Sequence, residues 1–184
     1  MLYKVPHNIN DESVLSLMNV VNELQPYEEL SVYLKGDGGE KSCAEAMIDI
    51  LNNLALTNAV TLTAYESINS CHFSIFFETK CYNKVLLPST KGLMHKCAWT
   101  VELMSGGKPI NEPFIKFKMA FMENVDCITP INKLVKFNSD ELKRLKNNED
   151  VWFLPSRMKE LLEYNLKKTK VSLPKMIIHE NHKE

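Results

Sequence analysis

The sequence predicts an α/β fold in which strands and helices alternate along the chain. Each apolar run of strand length is followed by a turn or by a segment with apolar residues at helical spacing. Such alternation favours parallel strands joined by right-handed crossovers, with ligands bound at the carboxyl ends of the strands. With 184 residues and 45% hydrophobic content, the chain is predicted to form a single domain over residues 1–184.

The first strand and helix are predicted near the start of the chain. LYKV, from Leu2 to Val5, is typical of a short strand, and Asn10 or Asp11 is placed to cap the helix that follows. Pro26 is predicted to end that helix. Its apolar residues at helical spacing are Val14, Leu17, Met18, Val21 and Leu24.

Two further strands follow, with a helix between them. SVYLK (31–35) predicts a strand that runs into the turn GDGG, and VTLTAY (60–65) predicts a second apolar strand. Gly39 and Ser70 lie just past the ends of these strands, where an α/β protein displays reactive groups. The intervening helix is predicted from one apolar face formed by Cys43, Met47, Ile50, Leu51 and Leu54.

The second half of the chain differs in character. A third helix is predicted from Ser70 through three phenylalanines, and short strands are predicted in KVLLP and GLMH. An excursion over about 97–146 contains the turn SGGKP, an amphipathic helix and a last helix capped by Ser139. A Lys-rich and then polar tail is predicted over about 167–184. The apolar face of the amphipathic helix, which packs on the chain's own core or on a partner, comprises Phe114, Phe117, Phe121, Met122 and Val125.

Composition limits the classes of function and of partner. The chain has 22 Lys and Arg against 23 Asp and Glu, so neither nucleic acid nor a charged membrane surface is a predicted partner. No run of about 18 apolar residues occurs, and the start lacks the apolar core of a signal peptide. The five cysteines follow neither metal-ligand nor disulfide spacing, which indicates a reducing compartment. We therefore expect a cytoplasmic protein that uses no metal or cofactor.

Ser70, His95 and Asp150 supply the residue types of a catalytic triad. A serine hydroxyl becomes a good nucleophile when a histidine takes its proton, and the histidine needs an acidic group to fix its tautomer. Acyl transfer also needs backbone N–H groups aimed at the developing oxyanion. Gly39, which has no β-carbon, and Cys71, at a predicted helix N-terminus, are the two candidate donors.

Each of these residues also has an ordinary structural interpretation. Ser70 suits the N-cap of a helix, and His95 suits a hydrogen-bonded core histidine. Asp150 suits a cap for the next segment or a solvated surface position, and Gly38 and Gly39 suit a simple turn. Single residues of these types at turns are common, so the combination carries the catalytic hypothesis.

These motifs resemble the proteolytic subunit of the Clp protease, within the Clp/crotonase superfamily. LPSTKGLMH is similar to the family's Leu-Pro-x-Ser…Met-Ile-His segment, and the 25-residue separation of Ser70 and His95 equals the family's. SDELKRLKNNED, which Asp150 closes, matches the family's Ser-to-Asp stretch in length. WFLPS…EYNL is similar to the family's Phe-Leu-Ser…Glu-Tyr-Gly-Leu, and the resemblance extends from about Leu30 to Leu166.

The resemblance implies a spiral of β-β-α units with a protruding handle helix in the 97–146 excursion. It also implies a serine endopeptidase that cleaves peptides or unfolded proteins inside an oligomeric chamber. Ser70 is then the nucleophile, His95 the general base and Asp150 its orienting acid, while Gly39 and Cys71 supply the oxyanion-hole amides. A homo-oligomer of one ring or of stacked rings, joined through the handle, is the expected state.

Several positions depart from the family's pattern. Glu66 and His72 stand where the family has small glycines, and KGDGG replaces its Asn-Ser-Pro-Gly-Gly. These differences leave a second interpretation open, a catalytically impaired homologue that serves as a structural or regulatory subunit. The first strand begins almost at residue 1, which leaves little room for axial loops and argues against an ATPase unfoldase partner. A crotonase-type acyl-CoA enzyme is less well supported, because that branch does not use a Ser-His-Asp set at these positions.

Overall fold

The computed structural model of the chain describes residues 1–95 and 128–172, together with the backbone of 104–105 and 108–109. The amphipathic helix expected in the excursion lies outside the described residues. No helix within the described ranges is long and apolar enough to cross a membrane.

The strands and helices alternate as the sequence predicts. The helices are α1 (Asp11–Glu23), α2 (Lys41–Leu54), α3 (Cys71–Glu78), α4 (Ile128–Val135), α5 (Ser139–Lys146) and α6 (Pro155–Thr169). The strands are β1 (Leu2–Lys4), β2 (Asn8–Ile9), β3 (Glu29–Gly36), β4 (Gly38–Gly39), β5 (Ala59–Asn69), β6 (Asn83–Leu86), β7 (Lys91–Met94), β8 (Met104–Ser105), β9 (Lys108–Pro109) and β10 (Val151–Phe153). β8 and β9 form an antiparallel pair across the predicted turn SGGKP.

The main sheet is built around the long central strand β5. Strands β1, β3, β5 and β7 lie side by side and are parallel, and β10 adds to β7 in the antiparallel direction. Strand β6 pairs with the first half of β5, whereas β7 pairs with its last three residues. A second, small sheet consists of the parallel pair β2 and β4. The predicted parallel arrangement is therefore confirmed for the first four strands of the main sheet.

A bulge in the middle of β5 lets the strand change its neighbour from β6 to β7. The register with β3 shifts between the Leu34–Ala64 pair and the Gly36–Ile68 pair. Inside the bulge, Glu66 has a φ of 54°, a left-handed conformation that is uncommon outside glycine. The bulge makes β5 longer than the predicted strand 60–65 and carries its end as far as the residue before Ser70.

Helix α1 begins at a capping box. Asn10 Oδ1 accepts a hydrogen bond from the Ser13 backbone N–H at 3.1 Å, and Ser13 Oγ accepts one from the Asn10 N–H at 3.2 Å. Leu17 is fully buried, but Met18, which was predicted on the same apolar face, is 44% exposed. The reason is geometric, since adjacent helix residues point about 100° apart and the face that meets the core is centred on Leu17.

Helix α3 packs into the core of the fold through most of its surface. Phe73, Phe76 and Phe77 are fully buried. The Phe73 ring centroid lies 4.5 Å from that of Phe77 and 5.3 Å from that of Phe153, and Phe153 stacks on Phe137 at 5.6 Å. Such close-packed aromatic contacts leave α3 little freedom to rotate, so its N-terminus is held in a fixed direction.

The C-terminal helices differ from two sequence expectations. Ile131, Val135 and Leu145 are buried in the core, so the part of the 97–146 excursion from residue 128 onward packs on the body of the protein. The cap of α5 is Asn138 rather than Ser139, because Asn138 Oδ1 accepts from the Glu141 N–H at 2.9 Å.

The expected tail from Lys167 also begins later. Helix α6 continues to Thr169, whose buried hydroxyl donates to the Asn165 carbonyl oxygen at 3.1 Å. The backbone of Lys170 then pairs with that of Cys81 in an isolated parallel β-bridge. These contacts order the segment 167–170 against the core although its sequence is rich in lysine.

Candidate active site

Ser70 occupies a strained elbow between β5 and α3. Its φ of 51° and ψ of −114° are unusual for a non-glycine residue and carry a cost of about 1–3 kcal/mol. The Ser70 N–H donates to the Leu93 carbonyl oxygen on β7 at 2.8 Å, which ties the elbow to the neighbouring strand. The side chain makes no capping hydrogen bond with α3, so Ser70 is not an ordinary N-cap. A serine displayed on a sharp strand-to-helix turn is typical of a nucleophile elbow.

His95 lies beside this serine. It follows β7 directly, and the pairing of Leu93 with Asn69 brings the end of β7 next to the elbow. His95 Nε2 is 2.8 Å from Ser70 Oγ. In the neutral tautomer that carries its proton on Nδ1, Nε2 accepts the hydroxyl proton of Ser70 in this hydrogen bond. The two residues therefore have the geometry of a nucleophile and its general base.

Asp150 lies near His95 in the strand pairing, but its carboxylate does not pair with the His95 ring. The Val151–Met94 pair is the last in the ladder between β10 and β7, so Asp150 and His95 each lie one residue beyond it. In the described ranges, however, no hydrogen bond joins the two side chains, and no oxygen of the exposed Asp150 carboxylate lies within 4.0 Å of a His95 ring nitrogen. The Asp150 backbone carbonyl accepts from Arg144 Nη2 at 2.8 Å. The structure thus brings Ser70 and His95 together and leaves the Asp150 carboxylate outside.

The glycine pair of β4 packs against the elbow from the other side. Gly38 and Gly39 have φ values of 120° and 141°, which side chains other than glycine's rarely allow. The Gly39 carbonyl oxygen accepts a hydrogen bond from Cys71 Sγ at 3.2 Å. The two residues predicted as oxyanion-hole donors, Gly39 and Cys71, are therefore in direct contact beside Ser70.

Glu66 and His72, the residues that depart from the family's glycines, both turn away from the serine. The Glu66 carboxylate forms an ion pair with Lys35 Nζ at 2.5 Å, and its side chain is 61% exposed. His72 is fully buried, and its Nε2 lies 3.0 Å from the Pro6 carbonyl oxygen, to which it donates. Burial lowers the pKa of His72 to about 4, so this ring is neutral at neutral pH. Neither side chain lines the cleft at Ser70.

A cleft between α2 and α3 opens at Ser70 and His95. Helix α3 contributes one face of residues spaced by four, namely Ser70 at its N-terminus, then Ser74 and Glu78. Ser74 and Glu78 are absent from the residues predicted above, and this four-residue spacing from Ser70 is the sequence signal that would identify them. The other lining residues are Lys41, Ala44, Glu45, Ile48, Cys71, Met94 and Pro130.

Three buried thiols have structural roles. Burial raises the pKa of Cys43 and of Cys81 to about 11, which keeps both thiols neutral and poor as nucleophiles. Cys71 instead uses its thiol in the hydrogen bond to Gly39. Within the part of the chain that the structure describes, no three His, Cys, Asp or Glu side chains converge on a possible metal site.

Comparisons with known proteins identify the fold. No family model and no curated protein matches the sequence. Among solved structures, a ClpP1 mutant from Listeria monocytogenes is similar with a TM-score of 0.62 and 13% sequence identity, over 90% of this chain and 87% of the other. The catalytic domain of the ClpP protease from Plasmodium falciparum is similar with a TM-score of 0.54 and 12% identity, over 87% of this chain and 80% of the other. The chain therefore has a ClpP-like α/β fold, and the predicted fold class is confirmed.

Proposed function

We propose that this chain with a ClpP-like fold is a serine endopeptidase in which Ser70 is the nucleophile and His95 the general base. The observation that carries the proposal is the distance of 2.8 Å between Ser70 Oγ and His95 Nε2, at a serine held in a strained elbow. Strained backbone of this kind clusters at active sites, where the surrounding structure holds it in place.

The chemistry follows from this geometry. Ser70 Oγ attacks the carbonyl carbon of the scissile peptide bond while His95 Nε2 takes the hydroxyl proton. The imidazolium then donates that proton to the departing amine as the C–N bond breaks, which leaves an ester on Ser70. Water then loses a proton to His95 and attacks the ester carbonyl, and the imidazolium returns that proton to Ser70 Oγ as the acyl–oxygen bond breaks and the acid product leaves. The Gly39 and Cys71 N–H groups are proposed to bind the oxyanion, and Asp150 is proposed to orient His95.

The cleft beside Ser70 is open to a substrate and is not filled by Glu66 or His72. Glu66 points to Lys35 and His72 points to Pro6, so the bulk that replaces the family's glycines lies outside the cleft. The cleft itself begins at Ser70 and His95 and extends along α3. An extended peptide whose carbonyl reaches Ser70 therefore has room for a side chain beside it.

The proposal extends to assembly and substrate. By analogy with the fold, the active form is proposed to be a homo-oligomer that encloses peptides or unfolded proteins. The handle, which the resemblance places in the segment over about 97–146, is proposed to join the subunits. Light scattering coupled to gel filtration measures the mass directly, and a monomer at all concentrations would contradict this part of the proposal. A cytoplasmic location stays a prediction.

One observation favours a second candidate function. Because the Asp150 carboxylate does not reach His95, the chain also suits a catalytically impaired homologue that acts as a structural or regulatory subunit. A histidine without its acidic partner is poorly oriented and its charged form is less stabilised, which lowers catalysis by orders of magnitude.

A fluorophosphonate probe distinguishes the two candidates, since it labels a serine only when a base activates it. We expect wild-type protein to be labelled, Ser70→Ala to lose labelling, and His95→Ala to be labelled at least about 100-fold more slowly. Ser16→Ala, at an exposed position on α1, serves as the matched control and keeps the wild-type rate. Absence of labelling in protein that is folded and assembled would overturn the peptidase proposal and favour the impaired homologue.

A further inference from the structure

The cleft beside Ser70 has acidic groups at its far end. Ser70, Ser74 and Glu78 follow one another at four-residue intervals along α3, so Glu78 lies two turns from the serine, about 12 Å along the helix axis. From the facing helix α2, Lys41 and Glu45 line the same cleft. A side chain that enters at Ser70 and runs down the groove between the helices therefore ends near Glu78.

The charges in the cleft do not cancel. Lys41 Nζ lies 3.2 Å from Glu45 Oε1, so the Lys41 ammonium forms an ion pair with a carboxylate of its own helix. Among the described residues, no ammonium, guanidinium or imidazole nitrogen lies within 4.0 Å of the Glu78 carboxylate. Lys84, which lies on β6, directs its ammonium to Phe77, Asn165 and Thr169 instead. Among the described lining residues, Lys41, Glu45 and Glu78 together leave an excess of one negative charge.

Glu78 is also partly withdrawn from water. Burial and the neighbouring Glu45 raise its pKa, while Ser74, Lys41 and Lys84 lower it in part. A carboxylate in such surroundings gains more from an added cation than one on the open surface, because less of its charge is screened by solvent. Glu78 is thus placed to bind the positive group of a substrate side chain that lies in the cleft.

The walls of the cleft suit the stem of a long basic side chain. Ala44 and Ile48 from α2, Met94 from β7 and Pro130 from α4 also line the cleft and supply its apolar surface. Lysine and arginine bury their methylene groups against such surfaces while the charged head contacts a polar partner. A shorter or purely apolar side chain would leave the Glu78 carboxylate without that partner.

We propose that this cleft selects lysine or arginine as the substrate residue whose carbonyl is attacked by Ser70, with Glu78 as the group that recognises the positive charge. This inference rests on the proposed peptidase function, since it names the substrate class of the same site. Glu78 is a specificity-determining residue that contacts the substrate side chain and takes no part in proton transfer.

Two peptidyl diphenyl phosphonates test the proposal, one with a guanidinium side chain at the position next to the phosphorus and one with a leucine side chain. We expect wild-type protein to react at least about 10-fold faster with the basic phosphonate, because a charged hydrogen bond contributes enough for that factor. Glu78→Gln, which keeps the shape of the side chain and removes its charge, is expected to slow the reaction with the basic phosphonate at least about 10-fold and so to abolish the preference. Glu23→Gln, at the exposed end of α1, removes one surface charge far from the cleft and is expected to keep the preference.

The outcomes separate this inference from the proposed function. Labelling of Ser70 by a simple fluorophosphonate, together with equal or faster reaction of the leucine phosphonate, overturns the basic preference and leaves the peptidase proposal intact. If no phosphonate reacts, the peptidase proposal fails. Fluorescence anisotropy of labelled arginine and leucine peptides with the Ser70→Ala protein then tests whether the cleft prefers a basic side chain. Tighter binding of the arginine peptide that is lost in Ser70→Ala/Glu78→Gln supports recognition by Glu78, and equal binding overturns it.

Discussion

Gly38 packs directly on Ser70: a β-carbon built on the glycine would lie 2.8 Å from Ser70 Cβ and 3.2 Å from its Oγ. The Gly38 φ of 120° is also one that alanine rarely adopts. Gly38→Ala is therefore expected to displace the serine hydroxyl from His95 and to slow fluorophosphonate labelling at least about 10-fold, because the combined strain and clash exceed about 1.4 kcal/mol.

Gly36→Ala is the matched control for this prediction. A β-carbon at Gly36 would lie 2.5 Å from His72 Cε1, which is buried away from the cleft. This variant is expected to lose stability comparably in a urea titration but to keep the labelling rate of its folded fraction. Equal labelling of Gly38→Ala and wild type would show that the glycine is only a turn residue.

Asp150 is predicted to support catalysis by orienting His95. If its carboxylate orients the imidazole during the reaction, Asp150→Asn lowers the rate of peptide cleavage by about 100-fold or more, because the amide cannot stabilise the imidazolium. Glu149→Gln is the neighbouring control; its carboxylate accepts from Arg144 Nε at 3.2 Å and is expected to leave the rate within about 3-fold. A cleavage rate unchanged in Asp150→Asn would leave catalysis to the Ser70–His95 pair alone.

His72 is predicted to make the fold sensitive to acid. Its pKa is about 4 in the folded protein and about 6.5 when exposed, so between these values the unfolded chain binds more protons and stability falls as pH falls. The His72 contribution to the free energy of unfolding is expected to decrease by about 2 kcal/mol from pH 7.5 to pH 5. Urea midpoints at the two pH values measure it.

His72→Gln removes this titration, so the loss of stability between pH 7.5 and pH 5 is expected to become smaller by about the same amount. His7→Gln is the control, because the His7 side chain is 64% exposed. An identical pH dependence in His72→Gln and wild type would show that another group causes the acid sensitivity.

Lys84 is predicted to stabilise the packing of α6 only while all three hydrogen-bond acceptors of its ammonium group are present. Its buried ammonium donates to Asn165 Oδ1 at 2.7 Å, to Thr169 Oγ1 at 3.0 Å and to the Phe77 carbonyl oxygen at 3.1 Å. Asn165→Leu removes one acceptor from a buried charge, so the free energy of unfolding is expected to fall by about 3–5 kcal/mol. Asn53→Leu, at an exposed position of α2, is the control for the exchange of asparagine for leucine.

Lys84→Met in the Asn165→Leu background is expected to restore part of this loss, because the unpaired charge is gone. The pH dependence gives a second check. Burial lowers the pKa of Lys84 to about 8 from 10.5, so between these values the unfolded chain binds more protons, and the Lys84 contribution to stability rises with pH. A double variant no more stable than Asn165→Leu would exclude the unpaired charge as the cause.

Several features of the fold follow from local sequence. The capping box of α1 and the apolar spacing of α1, α2 and α3 depend on neighbours within a few residues, and these helices form where they are predicted. The separation of Ser70 and His95 is likewise a property of the chain, because a helix and two short strands fill the interval between the two residues. Met18 and Ser139 show the limit of this reasoning, since the core decides which side of a helix is buried and the chain path decides which residue caps it.

The alternation of strands and helices, with a serine and a histidine just past the ends of two strands, follows from local sequence patterns. Three features of the site depend on long-range contacts: Ser70 Oγ and His95 Nε2 meet, Glu66 and His72 turn aside, and the Asp150 carboxylate stays apart. Local patterns do not predict them, because the direction of a side chain depends on contacts with distant parts of the chain. The β5 bulge turns Glu66 toward Lys35, the Pro6 carbonyl binds His72, and Arg144 holds the backbone at Asp150.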